Sequence, residues 1–308
     1  MVPEFTLQGV AVKVRDDMGR EVILPRPPRR IVSLVPSDTY TLFAIGAGDR
    51  VVGRTGYCVL PAGQVEALPS VGGTKDVDPD AVMALEPDLV VANQEENARA
   101  PLEELARRGA PLFVSFVRRV AEGIAHTARL ARMLGLARDP AAQELARRAY
   151  QLLRPEKEIE AAAAAMPRAF VPIWKEPLMT FHQDTFASDV LLQIGCANAF
   201  GDRERRYPLA ADLGRRSPLP TDRLGDRDTR YPRVTVEEVV SRAPDLVLLP
   251  DEPHPFEEAD LAWIRGLDLP AARRGAVALA DGKDLFWYGA RTVEALPRLR
   301  AQIAALGE

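Results

Sequence analysis

The side chains that could do chemistry in this chain are few: three histidines, two cysteines and a set of aromatic residues flanking apolar runs. His182 follows Trp174-Lys-Glu-Pro-Leu-Met-Thr-Phe181, just past an expected strand, where α/β folds place their ligand sites. A neutral imidazole there could be an axial ligand to a metal carried by a bound chelate, or it could be a hydrogen-bonding loop residue. His126 lies in a helical stretch and reads as core or surface, and His254, between Pro253 and Pro255, reads as loop. Cys58 and Cys196 are far apart with no metal-type spacing; two thiols and one disulfide both remain open. Gly-x-Ser-x-Gly, Walker A and His-Glu-x-x-His patterns are absent, which speaks against an enzyme. Gly46-x-Gly48-x-x-x-x-Gly53 has the wrong spacing for a dinucleotide loop and follows a helix instead of a strand.

Tyr57, Trp174, Phe181, Tyr231, Phe286, Trp287 and Tyr288 fall in expected loops near strand ends. Rings in such places suit a large flat or apolar ligand, since they supply contact area at low entropic cost; plain core packing is the other reading. Arg291 could hold a carboxylate or phosphate on the ligand, or pair on the surface.

The elements that must position these residues come from a duplication. Val77-Asp-Pro-Asp-Ala-Val-Met-Ala-Leu-Glu-Pro-Asp-Leu-Val-Val91 recurs as Val234-Thr-Val-Glu-Glu-Val-Val-Ser-Arg-Ala-Pro-Asp-Leu-Val-Leu248, at an offset of 157 residues. Each copy predicts a short capped helix, a stop ahead of Pro-Asp and a buried parallel strand. Asp80 and Glu237 occupy equivalent places. Each could serve its own helix N-terminus, or the two could form a matched pair docking onto a two-fold partner with arginines. A hairpin is expected over residues 10–24, strands at Arg30–Val35, Val51–Gly53 and Pro111–Val114, and nearly continuous helix from Val120 to Ala165, which Pro155 would kink or break in two. A second series follows: strand Arg168–Ile173, helix Phe186–Ile194, strands Leu246–Leu249 and Val277–Ala280, with surface loop from Gly201 to Pro232. Alternation of this kind predicts parallel sheets covered by helices.

At 308 residues, with 47% hydrophobic and 27% charged residues, the chain reads as two globular domains. A net charge of −4 gives no footprint for nucleic acid or anionic membrane, and no apolar run is long enough to span a bilayer. Met1–Arg20 contains no apolar leader core. The protein is therefore cytoplasmic if this start is genuine, and periplasmic or otherwise extracytoplasmic if a leader has been removed.

Ile31-Val-Ser-Leu-Val-Pro-Ser37, Leu42-Phe-Ala-Ile-Gly-Ala-Gly48, Val71-Gly-Gly73 and Leu85-Glu-Pro-Asp-Leu-Val-Val91 together resemble the class III periplasmic binding proteins. These are the cobalamin, haem and ferric-siderophore receptors of ABC importers, with the helical-backbone metal-receptor fold. The resemblance runs from Val10 to Leu306 and implies an α/β protein of two Rossmann-like lobes, bridged by a long helix near Ala141–Ala165, with a ligand cleft between the lobes. The expected division is an N-terminal lobe at 1–136, a connecting helix at 137–166 and a C-terminal lobe at 167–308.

The resemblance is nearest to the cobalamin branch. Tyr57 matches a cleft tyrosine there, and Tyr231 falls where that branch has a tryptophan. Trp287 departs from a ligand-contacting arginine, Asp80 from the usual glutamate, and Pro155 from an unbroken backbone helix. The implied function is a non-enzymatic solute-binding protein holding a corrinoid or other metal chelate. Its ligand set would be Tyr57, Trp174, Phe181, His182, Tyr231, Trp287, Tyr288 and Arg291, with no covalent cofactor and no metal held directly by protein unless His182 serves. Asp80 and Glu237 would dock on a permease dimer. A haem or ferric-siderophore binder, a cytosolic corrinoid or metal carrier, and an enzyme on the same fold are the alternatives.

Overall fold

Short apolar runs bounded by glycine and proline form the strands, and the amphipathic stretches between them form the helices that cover them. The computed structural model describes residues 11–307. Val10, the first residue of the expected hairpin, and the start of the leader region lie outside the described residues. The chain divides into two units: one takes residues up to Val117, Ala121–Gln151 and Tyr288–Arg291, and the other takes Arg118–Val120, Leu152–Trp287 and the chain from Thr292 onward.

The first unit opens with an antiparallel hairpin, β1 (Val12–Arg15) and β2 (Glu21–Leu24). Then come β3 (Ile31–Ser33), α1 (Pro36–Ala44), β4 (Val51–Arg54), α2 (Pro79–Ala84), β5 (Leu89–Asn93), α3 (Arg99–Arg107), β6 (Leu112–Ser115), α4 (Val120–Met133) and α5 (Pro140–Leu152). The sheet is parallel in the order β4-β3-β5-β6. Side-chain alternation splits each strand between two cores. Ile31, Leu89, Val91 and Phe113 pack with Leu42 and Leu130, whereas Val32, Val90, Ala92 and Val114 pack with Val82, Leu102 and Leu105. Strands covered on both faces carry no polar stripe, which is why they read as continuous apolar runs.

The second unit contains α6 (Glu156–Ala162), β7 (Arg168–Phe170), a small hairpin of β8 (Trp174–Lys175) and β9 (Leu178–Met179), α7 (Phe186–Gln193), β10 (Ala197–Asn198) and α8 (Leu209–Asp212). It continues with α9 (Val236–Arg242), β11 (Leu246–Pro250), α10 (Glu258–Arg265), α11 (Pro270–Arg273), β12 (Val277–Ala280), α12 (Gly282–Phe286) and α13 (Thr292–Gly307). Its parallel sheet runs β10-β7-β11-β12, so both units share the order second-first-third-fourth.

The repeat extends to single hydrogen bonds. Asp88 accepts the backbone N–H groups of Arg29 and Arg30, and Asp245 accepts that of Arg168. In return the Arg30 guanidinium donates to the carbonyl of Leu85, and that of Arg168 to the carbonyl of Arg242. Glu86 and Ala243, each just ahead of the repeated proline, both take the left-handed conformation at φ 47°. Proline excludes the right-handed region from its predecessor, and both copies resolve that exclusion with the same turn.

The long helix implied over 141–165 is broken where Pro155 predicts a kink or a break: α5 stops at Leu152 and α6 starts at Glu156. Pro155 has no N–H to continue the ladder, and its ring would strike the carbonyl four residues back. The freed groups find partners: the Arg154 N–H donates to Gln193 Oε1 at 2.8 Å, and Arg300 donates to the Leu152 carbonyl at 2.6 Å.

Replacing Asp88 or Asp245 with alanine removes charge-assisted bonds at the start of a central strand and should lower stability by about 1–2 kcal/mol. Urea unfolding measures this, and an unchanged midpoint in both variants would show that these carboxylates do not tie the sheets together.

Candidate functional site

Parallel strands point their carboxyl ends to one edge of a sheet, and the loops leaving that edge carry the ligand contacts of α/β proteins. In the first unit Tyr57 stands just after β4 and is 64% exposed. Its ring covers Gly73, where a Cβ would come within 3.1 Å of Tyr57 Cε2. In the second unit Trp174 stands on the hairpin after β7, is 44% exposed, and donates its indole N–H to the Glu176 carbonyl at 3.1 Å. Its ring lies 5.3 Å from that of His254, which in turn lies 4.7 Å from Phe256. His254, a plain loop residue by sequence, thus joins an aromatic row beyond β7 and β11. Tyr231 is half-buried, with the Arg230 guanidinium 5.6 Å from its ring centre.

His182 is half-buried, and its ring geometry bears on the metal question. Its Nδ1 lies 3.1 Å from the Asp184 backbone N–H. Because that group can only donate, Nδ1 carries the lone pair, and in neutral imidazole the proton then sits on Nε2. A ring held this way offers Nε2–H as a donor, not a free electron pair. Coordination of a metal by Nε2 would require its proton to leave and the Asp184 N–H bond to Nδ1 to be given up or exchanged.

Four of the expected ligand contacts are buried. Phe181 packs edge-on against Phe286 at 6.3 Å. Trp287 donates its indole N–H to Glu252 at 2.7 Å, and burial pushes that carboxyl above its usual range against the pull of Lys283. Arg291 lies over the Tyr40 ring at 5.9 Å. Tyr288 belongs to the first unit and closes a polar network there. Each of these four side chains is packed against its neighbours within its own unit.

That network has no counterpart in the sequence reading. Asp38, fully buried in the first turn of α1, accepts the Tyr288 hydroxyl at 2.9 Å and His126 Nε2–H at 2.6 Å. Arg129 meets His126 Nδ1 at 3.3 Å, which fixes the proton on Nε2, and Asp17 holds Arg129 in a fork at 2.6 and 2.9 Å. Ser115 lies 3.0 Å from the Tyr288 hydroxyl, and Asn93 donates to Ser115 at 3.1 Å. Phe113 stacks on the imidazole at 5.8 Å. His126 is thus a core histidine. Gly289 follows at φ 77°, and a Cβ there would come within 2.4 Å of Thr41 Oγ1, so only glycine lets the segment lie this close to α1.

Asp80 and Glu237 both sit in the first turns of their helices, after the capping residues Asp78 and Thr235. The Glu237 carboxyl is exposed, is held below the usual range by its own backbone N–H and the Thr235 hydroxyl, and has no ion-pair partner among the described residues. Asp80 is exposed as well but is bound by Arg108 from the end of α3. Cys58 and Cys196 are free thiols; burial raises the first and pushes the second up to about 12, so neither is a nucleophile near neutrality. Among the described residues no cluster of histidine, cysteine and carboxylate could hold a metal, and no helix is long and apolar enough to cross a membrane.

Burial first, and then the Asp38 charge, raise the Tyr288 phenol well above its usual pKa near 10. A group raised in the folded state contributes stability that is complete below its unfolded value and is lost as pH rises through the folded one. Phenolate absorbance during alkaline titration should therefore leave one of the six tyrosines protonated until the fold is lost. Tyr288→Phe should remove that late component and cost about 1–3 kcal/mol at neutral pH, since Asp38 loses a buried donor. A titration curve of the same shape in the variant would contradict this.

Comparison with known proteins adds to this geometry. Residues 31–252 match the family described as periplasmic binding protein. The vitamin B12-binding protein of Pectobacterium carotovorum subsp. carotovorum (strain PC1) is 26% identical over 245 residues, 79% of each chain. The crystal structure of the periplasmic vitamin B12 binding protein of Vibrio cholerae superposes with a TM-score of 0.67 at 21% identity, covering 92% of this chain and 100% of that one. A periplasmic haem binding protein of Pseudomonas aeruginosa superposes with a TM-score of 0.68 at 22% identity, covering 90% and 92%. With its duplicated parallel sheets and a match across more than two thirds of its length, the chain belongs to the periplasmic binding protein family.

Proposed function

We propose that this protein is the solute-binding component of an ABC importer for a corrinoid, held by rings on the carboxyl edges of its two sheets. The observation that carries the reading is the exposure of Tyr57 and Trp174 on those edges, in a chain whose relative with 26% identity is a vitamin B12-binding protein. Much of each ring is left open by the contacts it makes in its own fold, and a flat apolar ligand would cover it. Tyr231 and His182 complete the accessible set, His182 as a hydrogen-bond donor to an amide or carboxylate on the ligand. Haemin or a ferric siderophore is the second reading, supported by the arginines near Tyr231. The lobes of this reading are residues 1–136 and 167–308, joined by 137–166, and the working compartment is extracytoplasmic.

Titration of the purified chain with cyanocobalamin, cobinamide, haemin and ferric siderophores, followed by absorbance and tryptophan fluorescence, tests the ligand. A corrinoid should bind, and Tyr57→Ala and Trp174→Ala should each weaken it by about 1–3 kcal/mol. Silence with all four ligand classes would end both readings.

Asp80 and Glu237 are the proposed permease contacts. Glu237→Ala should reduce stimulation of the cognate transporter's ATPase more than Asp80→Ala, because Arg108 already engages Asp80 and a permease arginine must displace it. Full stimulation by the double variant would remove both acids from the interface.

A further inference from the structure

The segment from Gly201 to Pro232 carries more guanidinium charge than its paired carboxylates neutralise. Arg203 and Asp212, 4% and 2% exposed, pair at 3.0 Å and tie the segment together. Asp212 also accepts the backbone N–H groups of Arg206 and Arg233, at 2.9 and 2.8 Å. The other carboxylates that pair here are engaged elsewhere: Glu238 with Arg203, Asp228 with Arg230 and Asp202 with Arg242.

Of the arginines left without a carboxylate partner among the described residues, two are grouped around one phenol and a third lies close by. The Arg205 guanidinium carbon lies 4.4 Å from the Tyr207 ring centre and that of Arg227 5.7 Å, on the ring whose hydroxyl is fixed to the Asp228 carbonyl at 2.7 Å. Among the described residues the Arg227 side chain otherwise donates to the carbonyls of Arg223 and Leu224. The Arg233 backbone N–H donates to Asp212, and burial, then the Arg205 charge, hold its guanidinium below the usual arginine range against the pull of Asp212 and Tyr207. Its Nε and Nη1 are buried and meet no acceptor among the described residues. Among the described residues none of the three has a carboxylate partner.

Buried guanidinium N–H groups without acceptors, as at Arg233, beside another guanidinium are unfavourable unless an anion joins them. Planar guanidinium forks match the oxygens of carboxylates and phosphates. We infer that Arg205 and Arg227, gathered on Tyr207, form with the neighbouring Arg233 a binding site for an oxyanion, a carboxylate or phosphate. The Arg203–Asp212 pair holds the site's backbone ready. The Arg230 carbonyl accepts the His182 N–H at 2.7 Å, which sets the segment beside the accessible ligand edge of the second unit. That the anion is a substituent of the transported ligand rests on the function proposed above; the site itself does not.

Calorimetric titration of the full chain with pyrophosphate at low ionic strength tests the site. The wild type should bind, with affinity falling as salt rises. Arg205→Gln and Arg233→Gln should each weaken binding about tenfold, while the Arg215→Gln/Arg216→Gln control, which removes exposed charge nearby, stays within about twofold. Circular dichroism checks folding, and Arg205→Gln suffices if Arg233→Gln does not fold. Absence of pyrophosphate binding to the wild type, or equal weakening by the control, overturns the site. Haemin and cyanocobalamin titrations separate the sources. Loss of haemin but not cobalamin affinity in Arg205→Gln, with pyrophosphate competing against haemin, makes the anion the ligand's own; pyrophosphate binding that is indifferent to either ligand makes it a free anion. Failure of every chelate to bind while pyrophosphate binds sinks the transport reading and leaves the site standing.

Discussion

The carboxylate that follows the repeated proline holds the architecture together. Asp88 and Asp245 each receive the first N–H groups of the strand beside their own, and the arginine opening that strand reaches back to the carbonyls at the end of the preceding helix. One reciprocal clamp thus fixes strand register and helix ending together. Register matters because a slip of one residue would turn every core side chain to the opposite face, exchanging the two cores on either side of the sheet. With the clamp in place, the carboxyl edge of each sheet is set, and so are the loops that carry Tyr57, Trp174 and His182.

A second polar device works by burial. The Asp38–His126–Tyr288 network lies where water cannot compete, so each hydrogen bond is strong and each missing partner costly. It anchors Tyr288–Arg291, a stretch that comes from the C-terminal half of the sequence yet belongs to the first unit. The approach of Gly289 to Thr41 and the bond from the Ala290 N–H to Thr41 Oγ1 at 3.1 Å complete the anchor. Residues that look like ligand contacts by sequence are here the fastening of the chain.

The difference between what was legible and what was not has a physical cause. Strands and the duplicated helix–strand unit were readable because burial on both faces writes an unbroken apolar run, and capping and proline punctuation mark the ends. Tyr57 and Trp174 were readable as accessible rings because each follows closely on the carboxyl end of a strand. Tyr288 was not, since its partners Asp38, Ser115 and His126 lie 250, 173 and 162 positions away or join through other residues, and no local pattern encodes such contacts. His182 lies in a loop just past a strand, as its sequence context predicts, but its tautomer depends on one backbone N–H two residues on, which only coordinates reveal. The Gly201–Pro232 stretch read as surface loop because its composition is polar; the buried Arg203–Asp212 pair at its centre is polar too.

Pro155 changes the mechanical argument. An uninterrupted helix is stiff because its own backbone ladder resists bending, and that source of stiffness ends at Leu152. What replaces it is a set of side-chain bonds: Gln193 Oε1 to the Arg154 N–H, and Arg300 to the carbonyls of Leu152 and Gln193. Burial, then repulsion from Arg154, lower the Arg300 pKa, so this guanidinium sits against another positive group as it spans the break. The break between α5 and α6 is therefore bridged by two arginines and one glutamine in place of a helical ladder. Bonds held by a few side chains can be removed by single substitutions, which a continuous backbone ladder would resist.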